Sequence, residues 1–435
     1  MKKILAINGG KKVRRKKFPS YNTIGKEEKR AVLKVLNSGV LSQYLGVWGK
    51  DFYGGEEVRT LEKEWAAHFH VKHAIAVNSA TSGLFAATGA IGIGPGDEVI
   101  VSPYTMSASV MPPLIYGAVP VFADIEQEYF CLDPASVEQR ITERTKAIIV
   151  VDLFGQPYDV ERINKIAKKH NLILIEDASQ APGAAYQGKF AGTLGDIGIF
   201  SLNYHKHIHT GEGGMVVTDN DELADRVRLI RNHAESIVEA KGVKNLTNMV
   251  GFNFRMTEIE AAIARCQLKK LKSLLKSRIN DIEYLTKRLE TIEGLRPPRV
   301  RPGCTHSFYV HPILYDQRVT GVPRDRFIDA VKAELTPTRG RESWGPLISC
   351  GYVKPLYLLP LFQKRIAIGA NGYPFTAPLY YGNVTYKKGI CPVVEQLYEY
   401  SLFYHDLAKP PVTKKDLDDI AKAFVKVSRH VKELR

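Results

Sequence analysis

Between residues 73 and 220, short apolar runs alternate with stretches whose apolar residues recur at helical spacing. Strands that are buried on both faces of a sheet have nearly continuous apolar sequences, and their alternation with helices is typical of a mainly parallel sheet. The sequence therefore predicts an α/β fold with helices on both faces of a central, mainly parallel sheet. The predicted strands are AIAV (74–77), EVIVS (98–102), VPVFAD (119–124), AIIVVDLFG (147–155) and LILIED (172–177).

The chain of 435 residues is too long for one small hydrophobic core, so two domains are expected. We predict a large α/β domain over residues 26–293, which ends in a helical pattern at 256–292, either one long helix or a bent pair. The Pro- and Arg-rich stretch GLRPPRVRPG then begins a small α+β domain over residues 294–435. Its predicted elements are a strand at 307–315 and helices near 323–334 and 413–432.

The formal net charge of +15 is concentrated at the start of the chain. The first 17 residues contain eight Lys or Arg residues and no acidic residue, so they carry over half of the excess positive charge. We predict that residues 1–25 are a basic arm surrounded by water; attraction of anionic substrates or nucleic acid is the alternative. No zinc-finger, recognition-helix or RNP pattern accompanies the arm, so we expect no nucleic-acid partner.

The sequence indicates neither a membrane segment nor a disulfide framework. No apolar stretch approaches the ~20 residues that span a bilayer. The five cysteines are dispersed and contain no CxxC pair, which argues against both disulfide bonds and a zinc site. We expect no metal, no membrane partner and a cytoplasmic location.

Four predicted loops carry polar residues beyond the carboxyl ends of the strands, where open α/β sheets bind their ligands. The first, VNSATSG (77–83), enters a predicted helix whose free N–H groups suit a phosphate. Ser79, Ala80 and Thr81 are the candidates. Ordinary helix capping by Ser or Thr is the alternative, and this loop taken alone favours it.

Asp177 ends the apolar run LILIED, where a buried carboxylate needs a cationic partner. The protonated ring nitrogen of pyridoxal phosphate (PLP) is such a partner, and PLP enzymes use an Asp in this way to make the ring an electron sink. A helix N-cap is the alternative, and this segment in isolation favours it about equally.

Lys206 lies between an apolar strand and a glycine-rich turn, in GDIGIFSLNYHKHIHTGEGG (195–214). A lysine that bonds to PLP must be uncharged at some stage, which burial near a cationic cofactor favours. A surface charge is the alternative, but Ser201 upstream and GEGG downstream favour the catalytic role. The three histidines that alternate around Lys206 lack an acidic or Cys ligand at metal spacing, so a metal site is not predicted.

The fourth loop, SPYTMSAS (102–109), follows another predicted strand. Tyr104 and Met106 are candidates for contact with a planar ring, because both side chains pack well against aromatic faces. Core packing is the alternative for each of them.

Taken together, these segments resemble the DegT/StrS family of sugar aminotransferases, a branch of the fold-type I PLP enzymes. The resemblance runs from about residue 20 to the C-terminus, and its most specific part is GDIGIFS followed by Lys206 and GEGG. It implies transamination of a keto-sugar or keto-cyclitol, with glutamate or glutamine as amino donor, for amino-sugar or aminocyclitol biosynthesis. The other matching phrases are GIGPGDEVIV (92–101), GAVPVFADI (117–125) and IEDASQAPGA (175–184).

The resemblance also implies roles for single residues. Lys206 would form the internal aldimine with PLP and Asp177 would pair with the pyridine nitrogen, which makes these two the catalytic residues. Gln180 would lie against the ring. The phosphate would be bound by Ala80, Thr81 and Ser201.

The phrase GFNFRMTE (251–258) is similar to the family segment GYNYRM, in which the Asn reaches the phosphate of the neighbouring subunit. Asn253 occupies that position, so the resemblance implies a homodimer with two shared active sites. The chain departs from the family pattern at Met106, where Trp or Phe is usual, and at Tyr357, where many relatives have His. QYLGVWGKDFYGG (43–55) is an insertion.

Two other functions are compatible with parts of this pattern. PLP-dependent sugar dehydratases share the scaffold but have His in place of the aldimine lysine, and His205 and His207 flank Lys206. The second is a regulatory protein that keeps PLP without turnover. The presence of both Lys206 and Asp177 favours the aminotransferase.

Overall fold

A seven-stranded sheet lies at the centre of this computed structural model, which describes residues 4–435. Two smaller sheets of four and three strands accompany it. The strands are β1 (His73–Val77), β2 (Glu98–Val101), β3 (Val119–Phe122), β4 (Thr145–Val151), β5 (Ile173–Asp177), β6 (Ala185–Tyr186), β7 (Lys189–Phe190), β8 (Ile197–Ser201), β9 (Gly214–Thr218), β10 (Leu295–Arg296), β11 (Cys304–Thr305), β12 (His311–Tyr315), β13 (Ile348–Cys350) and β14 (Leu402–His405).

The helices cover both faces of the central sheet and complete the smaller lobe. No helix of residues 4–435 combines the length and apolar character that crossing a bilayer requires. The α-helices are α1 (Lys26–Ser38), α2 (Glu56–Phe69), α3 (Ala80–Ala90), α4 (Met111–Ile115), α5 (Pro134–Arg140), α6 (Val160–Lys169), α7 (Asp221–Arg231), α8 (Val238–Lys241), α9 (Glu258–Leu289), α10 (Gln317–Thr320), α11 (Arg324–Glu334), α12 (Pro360–Lys364), α13 (Pro392–Gln396) and α14 (Lys414–Arg429).

The order of the central sheet is β1-β9-β8-β5-β4-β2-β3, and all of its strands except β9 run in the same direction. Successive residues of each strand face opposite sides, and both sides are apolar cores. In β1, for example, Ile75 and Val77 belong to one core while Ala74 and Ala76 belong to the other. This double burial explains the continuous apolar runs, and the predicted α/β fold is confirmed.

Helix α9 is one continuous helix of 32 residues rather than a bent pair. It begins with a capping box in which Thr257 and Glu260 bond to each other's backbone N–H groups. Leu268 packs in a core of the central sheet, whereas Ile282 and Leu289 pack in the core of the smaller lobe. A single helix therefore connects the two lobes.

The N-terminal segment packs against the C-terminal part of the chain. Leu5 and Phe18 are buried in the core of the smaller lobe. The guanidinium of Arg14 is buried and forms ion pairs with Asp416 (2.7 Å) and Asp419 (2.8 Å) of α14. The prediction of a water-surrounded arm is therefore wrong for this segment, because two apolar anchors and two carboxylates hold it. Lys2 and Lys3 lie outside the described residues.

The C-terminal part of the chain also contributes to the large lobe. Tyr357, Phe362 and Tyr386 pack against Phe122 of β3, in a core of the central sheet. Segments from both sides of residue 293 thus share this core. The domain boundary placed there from the sequence stays a prediction.

Candidate active site

The loops singled out in the sequence meet at one edge of the central sheet. Strand β4 pairs in parallel with β2 and with β5, and β5 pairs in parallel with β8, so all four strands have the same direction. Strand β1 has the same direction, because both β1 and β8 are antiparallel to β9. Their carboxyl ends therefore lie along a common edge. The residues at these ends are Val77, Val101, Asp177 and Ser201.

Asp177 is buried at the end of β5, and its carboxylate accepts two hydrogen bonds. The Ser109 hydroxyl donates to one oxygen at 2.6 Å, and the backbone N–H of Ser179 donates to the other at 3.1 Å. No helix follows this strand directly; a turn leads to the hairpin of β6 and β7. The helix-cap alternative for Asp177 is therefore wrong. Ser109 was not selected from the sequence, although it lies in the fourth loop.

Lys206 lies in the loop between β8 and β9, with only 9% of its surface exposed. Its ammonium is 4.5 Å from the centre of the Tyr309 ring. Burial lowers the pKa of Lys206 to about 8; the Asp177 carboxylate opposes this shift and Lys409 adds to it. At pH 7 roughly one such amine in ten is neutral, against about one in 3,000 at the ordinary value. Burial thus makes the neutral amine roughly 300 times more abundant at pH 7 than in an ordinary lysine, although the ammonium form still predominates.

The neighbouring histidines face other groups. His207 is buried, and its Nε2 is 2.9 Å from the carbonyl oxygen of Ser307. The ring of His205 packs against Tyr204. Within the part of the chain that the structure describes, no cluster of three or more His, Cys, Asp or Glu side chains is arranged around a metal ion. Lys206 is the loop residue on which the Asp177 charge acts.

The phosphate-loop candidates lie at the start of α3. Ser79 is the N-cap, and its Oγ accepts the backbone N–H of Ser82 at 3.0 Å, so capping accounts for its side chain. Ala80 and Thr81 begin the first turn, where helical N–H groups lack partners within the helix.

Gly214 of the GEGG turn lets the neighbouring strand approach this helix start. A Cβ at Gly214 would lie 2.6 Å from the backbone nitrogen of Ala80, so only glycine fits there. Ser201 pairs directly with Gly214 in the sheet. The structure therefore brings Ser201 to the same corner as the α3 N-terminus.

An aromatic and amide wall adjoins Asp177. The Gln180 amide accepts the backbone N–H of Phe154 at 2.9 Å and donates to the Tyr352 hydroxyl at 3.1 Å. Tyr104 is fully buried and meets Tyr352 edge-to-face, with its own hydroxyl unpaired. Tyr352 was missed because it lies far away in sequence. Met106 is 62% exposed, so this chain does not bring its side chain into the wall.

Asn253 lies beside the start of the VNSATSG loop (77–83) of its own chain. Asn78 donates its backbone N–H to the carbonyl of Phe254 at 2.9 Å and its side-chain amide to the carbonyl of Asn253 at 3.4 Å. The Asn253 side chain is exposed, and its Oδ1 accepts from Arg255 at 2.9 Å. Its contact with a partner subunit stays a prediction.

Residues 22–398 match the DegT/DnrJ/EryC1/StrS aminotransferase family. The chain belongs to that family. The predictions of the family and of an aminotransferase are thereby confirmed. In this member of the DegT/DnrJ/EryC1/StrS family, Asp177 and Ser201 end neighbouring parallel strands, and Lys206 lies in the loop that follows Ser201.

Relatives extend the family assignment along the whole chain. The spore coat polysaccharide biosynthesis protein SpsC of Bacillus subtilis is 34% identical over 82% of this chain and 87% of its own length. The L-glutamine:2-deoxy-scyllo-inosose aminotransferase of Streptoalloteichus tenebrarius is 32% identical over 99% of both chains. Among solved structures, an aminotransferase from Psychrobacter cryohalolentis superimposes on this chain with a TM-score of 0.79 and 29% sequence identity. The superposition covers 95% of this chain and 100% of the other.

Proposed function

We propose that this DegT/StrS aminotransferase uses PLP to transfer the amino group of glutamate or glutamine to a keto-cyclitol or keto-sugar. The observation that carries the proposal is that two buried side chains, Lys206 and Asp177, lie at one sheet edge and interact electrostatically. Lys206 is a buried amine with a pKa of about 8, and the buried carboxylate of Asp177 lies close enough to shift it.

The chemistry of the donor set fits PLP. The start of α3 offers unpaired N–H groups for a phosphate, and Ser201 lies at that corner. Asp177 retains free lone pairs for a ring N–H, since each oxygen accepts only one hydrogen bond. The hydroxyl of buried Tyr104 has no hydrogen-bond partner in the protein, and a ligand would supply one. When bound, PLP acts as an electron sink for the carbon that carries the amino group.

The residues of the chain have separate roles in binding the cofactor, moving a proton and orienting the other groups. Lys206 would hold the cofactor covalently and, as a neutral amine, take a proton from the substrate carbon and return it. Ser109 and Ser179 fix the orientation of the Asp177 carboxylate. Gln180 is fixed by Phe154 and Tyr352 and would support one face of the ring.

The relatives favour a keto-cyclitol over a nucleotide-linked keto-sugar. Three L-glutamine:2-deoxy-scyllo-inosose aminotransferases align over 98–100% of this chain at 32–33% identity. The GDP-perosamine synthase of Caulobacter vibrioides is 39% identical but aligns over only 65% of the chain. End-to-end similarity therefore supports a cyclitol substrate, and a screen of keto-cyclitols and nucleotide-linked keto-sugars for donor consumption tests it.

We also place the working enzyme in the cytoplasm as a homodimer. All five cysteines are free thiols, which suits a reducing compartment. Exposed apolar side chains lie around the Asn253 segment, and such surfaces commonly mark protein interfaces. These side chains are Leu41, Leu45, Val47, Leu246 and Val250.

Borohydride reduction followed by peptide mapping tests the central assignment. The cofactor should be fixed to the peptide that contains Lys206, and the Lys206→Ala variant should bind PLP without fixation or transamination. Lys409, the other buried lysine nearby, is the matched control, and Lys409→Met should still be labelled at Lys206. A label on another peptide, or transamination by Lys206→Ala, would contradict the proposal and reopen the dehydratase and regulatory alternatives.

A further inference from the structure

Arg278 is a buried cation without an acidic partner. It lies in the middle of α9, and only 1% of its surface is exposed. Its guanidinium stacks over the Tyr21 ring at 5.2 Å, and one nitrogen donates weakly to the carbonyl of Phe308 at 3.4 Å. Another guanidinium nitrogen has no hydrogen-bond partner, and no ion pair to Arg278 occurs in residues 4–435. A buried guanidinium nitrogen without a protein partner takes one from water or from a ligand.

A second cation, Lys409, also lies against Tyr21 and has only 10% of its side chain exposed. The Lys409 ammonium is within 6 Å of the centres of both the Tyr21 and Tyr309 rings. It is 2.6 Å from the Asp406 carboxylate, whose other oxygen is buried and unpaired. An ammonium has three donors, so at least one remains free for a ligand. Asp406 alone cannot neutralise both Lys409 and Arg278.

A cavity of about 300 Å³ has Lys409 in its wall, and Arg278 lies against Tyr21, which also lines the cavity. Tyr21, His205, Arg341, Asp406 and Lys409 contribute to its walls. His205 precedes Lys206 in the chain, and the ammonium groups of Lys206 and Lys409 both lie within 6 Å of the Tyr309 ring centre. The cavity therefore reaches the residue before Lys206, and Lys409 in its wall lies near enough to Lys206 to lower the pKa of that amine. Its volume is at the lower end of small-molecule sites.

We infer that this cavity binds the carboxylate of the amino donor, with Lys409 as its direct partner and Arg341 and Arg278 adding positive charge. The inference rests on the proposed function, because it needs a donor that reacts at Lys206. An amino-acid donor carries its carboxylate on the carbon that bears the amino group, so an anion must reach the space beside Lys206. Charge-assisted hydrogen bonds from buried cations are the strong type. The small cavity favours this carboxylate over the phosphates of a nucleotide.

Binding of glutarate to the holoenzyme, measured by isothermal titration calorimetry, tests the inference. Glutarate has the five-carbon dicarboxylate skeleton but no amino group, so it occupies the cavity without turnover. Lys409→Met should weaken glutarate binding roughly 10- to 100-fold, because one charged hydrogen bond is lost, and Lys409→Arg should restore most of it. Arg341→Met is a second variant and should weaken binding by a smaller factor.

Lys241→Met is the matched control. Lys241 also pairs with an aspartate, Asp225 at 2.8 Å, and also lies over an aromatic ring, Trp48 at 4.5 Å, but it is not in the cavity wall. Its variant should bind glutarate like the unmodified enzyme. The inference is overturned if the unmodified enzyme binds no glutarate, if neither Lys409→Met nor Arg341→Met weakens it, or if the control weakens it equally.

Titrations with pyrophosphate test whether the cations bind the phosphates of a nucleotide-linked substrate instead of the donor carboxylate. If Lys409→Met loses affinity for pyrophosphate and keeps it for glutarate, the cations serve the phosphates of a nucleotide-linked substrate and the inference is wrong. Failure of the proposed function gives a different result. In that case borohydride would not fix PLP at Lys206, whereas glutarate binding and its dependence on Lys409 would remain.

Discussion

Glu176 and Asp177 are neighbours at the end of strand β5, and both carboxylates are buried. The Glu176 carboxylate accepts three backbone N–H groups, from Gly192 (2.7 Å), Leu194 (2.7 Å) and Gly195 (3.0 Å). Asp177, on the opposite face, accepts one hydroxyl and one N–H and faces Lys206. Glu176 is satisfied by its own chain, whereas Asp177 keeps capacity for a ligand. Unused hydrogen-bonding capacity, rather than burial, separates the two roles.

The largest expected effect is on turnover, from the variant Asp177→Asn. An amide cannot stabilise a protonated pyridine, so kcat should fall on the order of 10²- to 10³-fold. PLP affinity should change far less, because the phosphate contacts persist. Steady-state kinetics and a PLP titration by absorbance measure both quantities. Turnover equal to that of the unmodified enzyme would remove Asp177 from the mechanism.

The reciprocal variant, Glu176→Gln, should affect stability instead. A neutral amide accepts the three N–H groups more weakly and turns one of its own donors toward them. The free energy of unfolding should fall by roughly 1.5–3 kcal/mol. Urea unfolding measures the loss, and turnover per folded molecule should stay near that of the unmodified enzyme. Lost turnover with unchanged stability would show that the two carboxylates share one role.

The smallest effect, counted per residue and per pH unit, concerns three buried histidines of the smaller lobe, His306, His311 and His405. His311 and His405 bond to each other at 2.9 Å, and burial lowers the pKa of His306 and of His405 to about 3. The unfolded chain therefore binds more protons below pH 6.5. The stability from these groups is complete above pH 6.5 and is lost as pH falls toward 3, by roughly 1.4 kcal/mol per histidine and pH unit.

Urea unfolding between pH 7.5 and 5 measures this dependence. The variant His405→Asn is the control, and the slope of its unfolding free energy against pH should be smaller by about one proton. An unchanged slope would mean that His405 is protonated in the folded protein. His405 would then resemble Asp177, which keeps hydrogen-bonding capacity for a partner, rather than Glu176, which is satisfied by its own chain.

Local sequence patterns predicted the elements in which the order of apolar residues directly reflects burial. The apolar runs predicted the strands of the parallel sheet, and the helical spacing predicted α9. The antiparallel direction of β9 and the burial of Leu5 and Phe18 were not predictable, because they depend on partners far away in the chain. Long-range packing leaves no periodic signal in either segment.

The candidate site shows the same division. Asp177, Lys206 and Ser201 end strands or follow them directly, so strand prediction places them at one edge. Lys409 and Tyr352 come from the C-terminal part of the chain and reach the site only through folding of the smaller lobe. Lys409 lies in no motif. Tyr352 lies in GYVKPLYLLPLF (351–362), which resembles the family's substrate loop, but its place beside Gln180 could be found only from its contacts.

The docking of the N-terminal segment on α14 also sets an order of events during synthesis. Arg14 and Asp419 are separated by 405 positions in the chain. At about 5–20 residues per second, the ribosome makes the partner of Arg14 roughly 20–80 s after Arg14 itself. For that time the core that Leu5 and Phe18 enter is incomplete, because it includes Leu417, Ile420 and Phe424 of α14. The several lysines of the same segment would keep it dispersed in water until the last helix emerges and the smaller lobe closes around it.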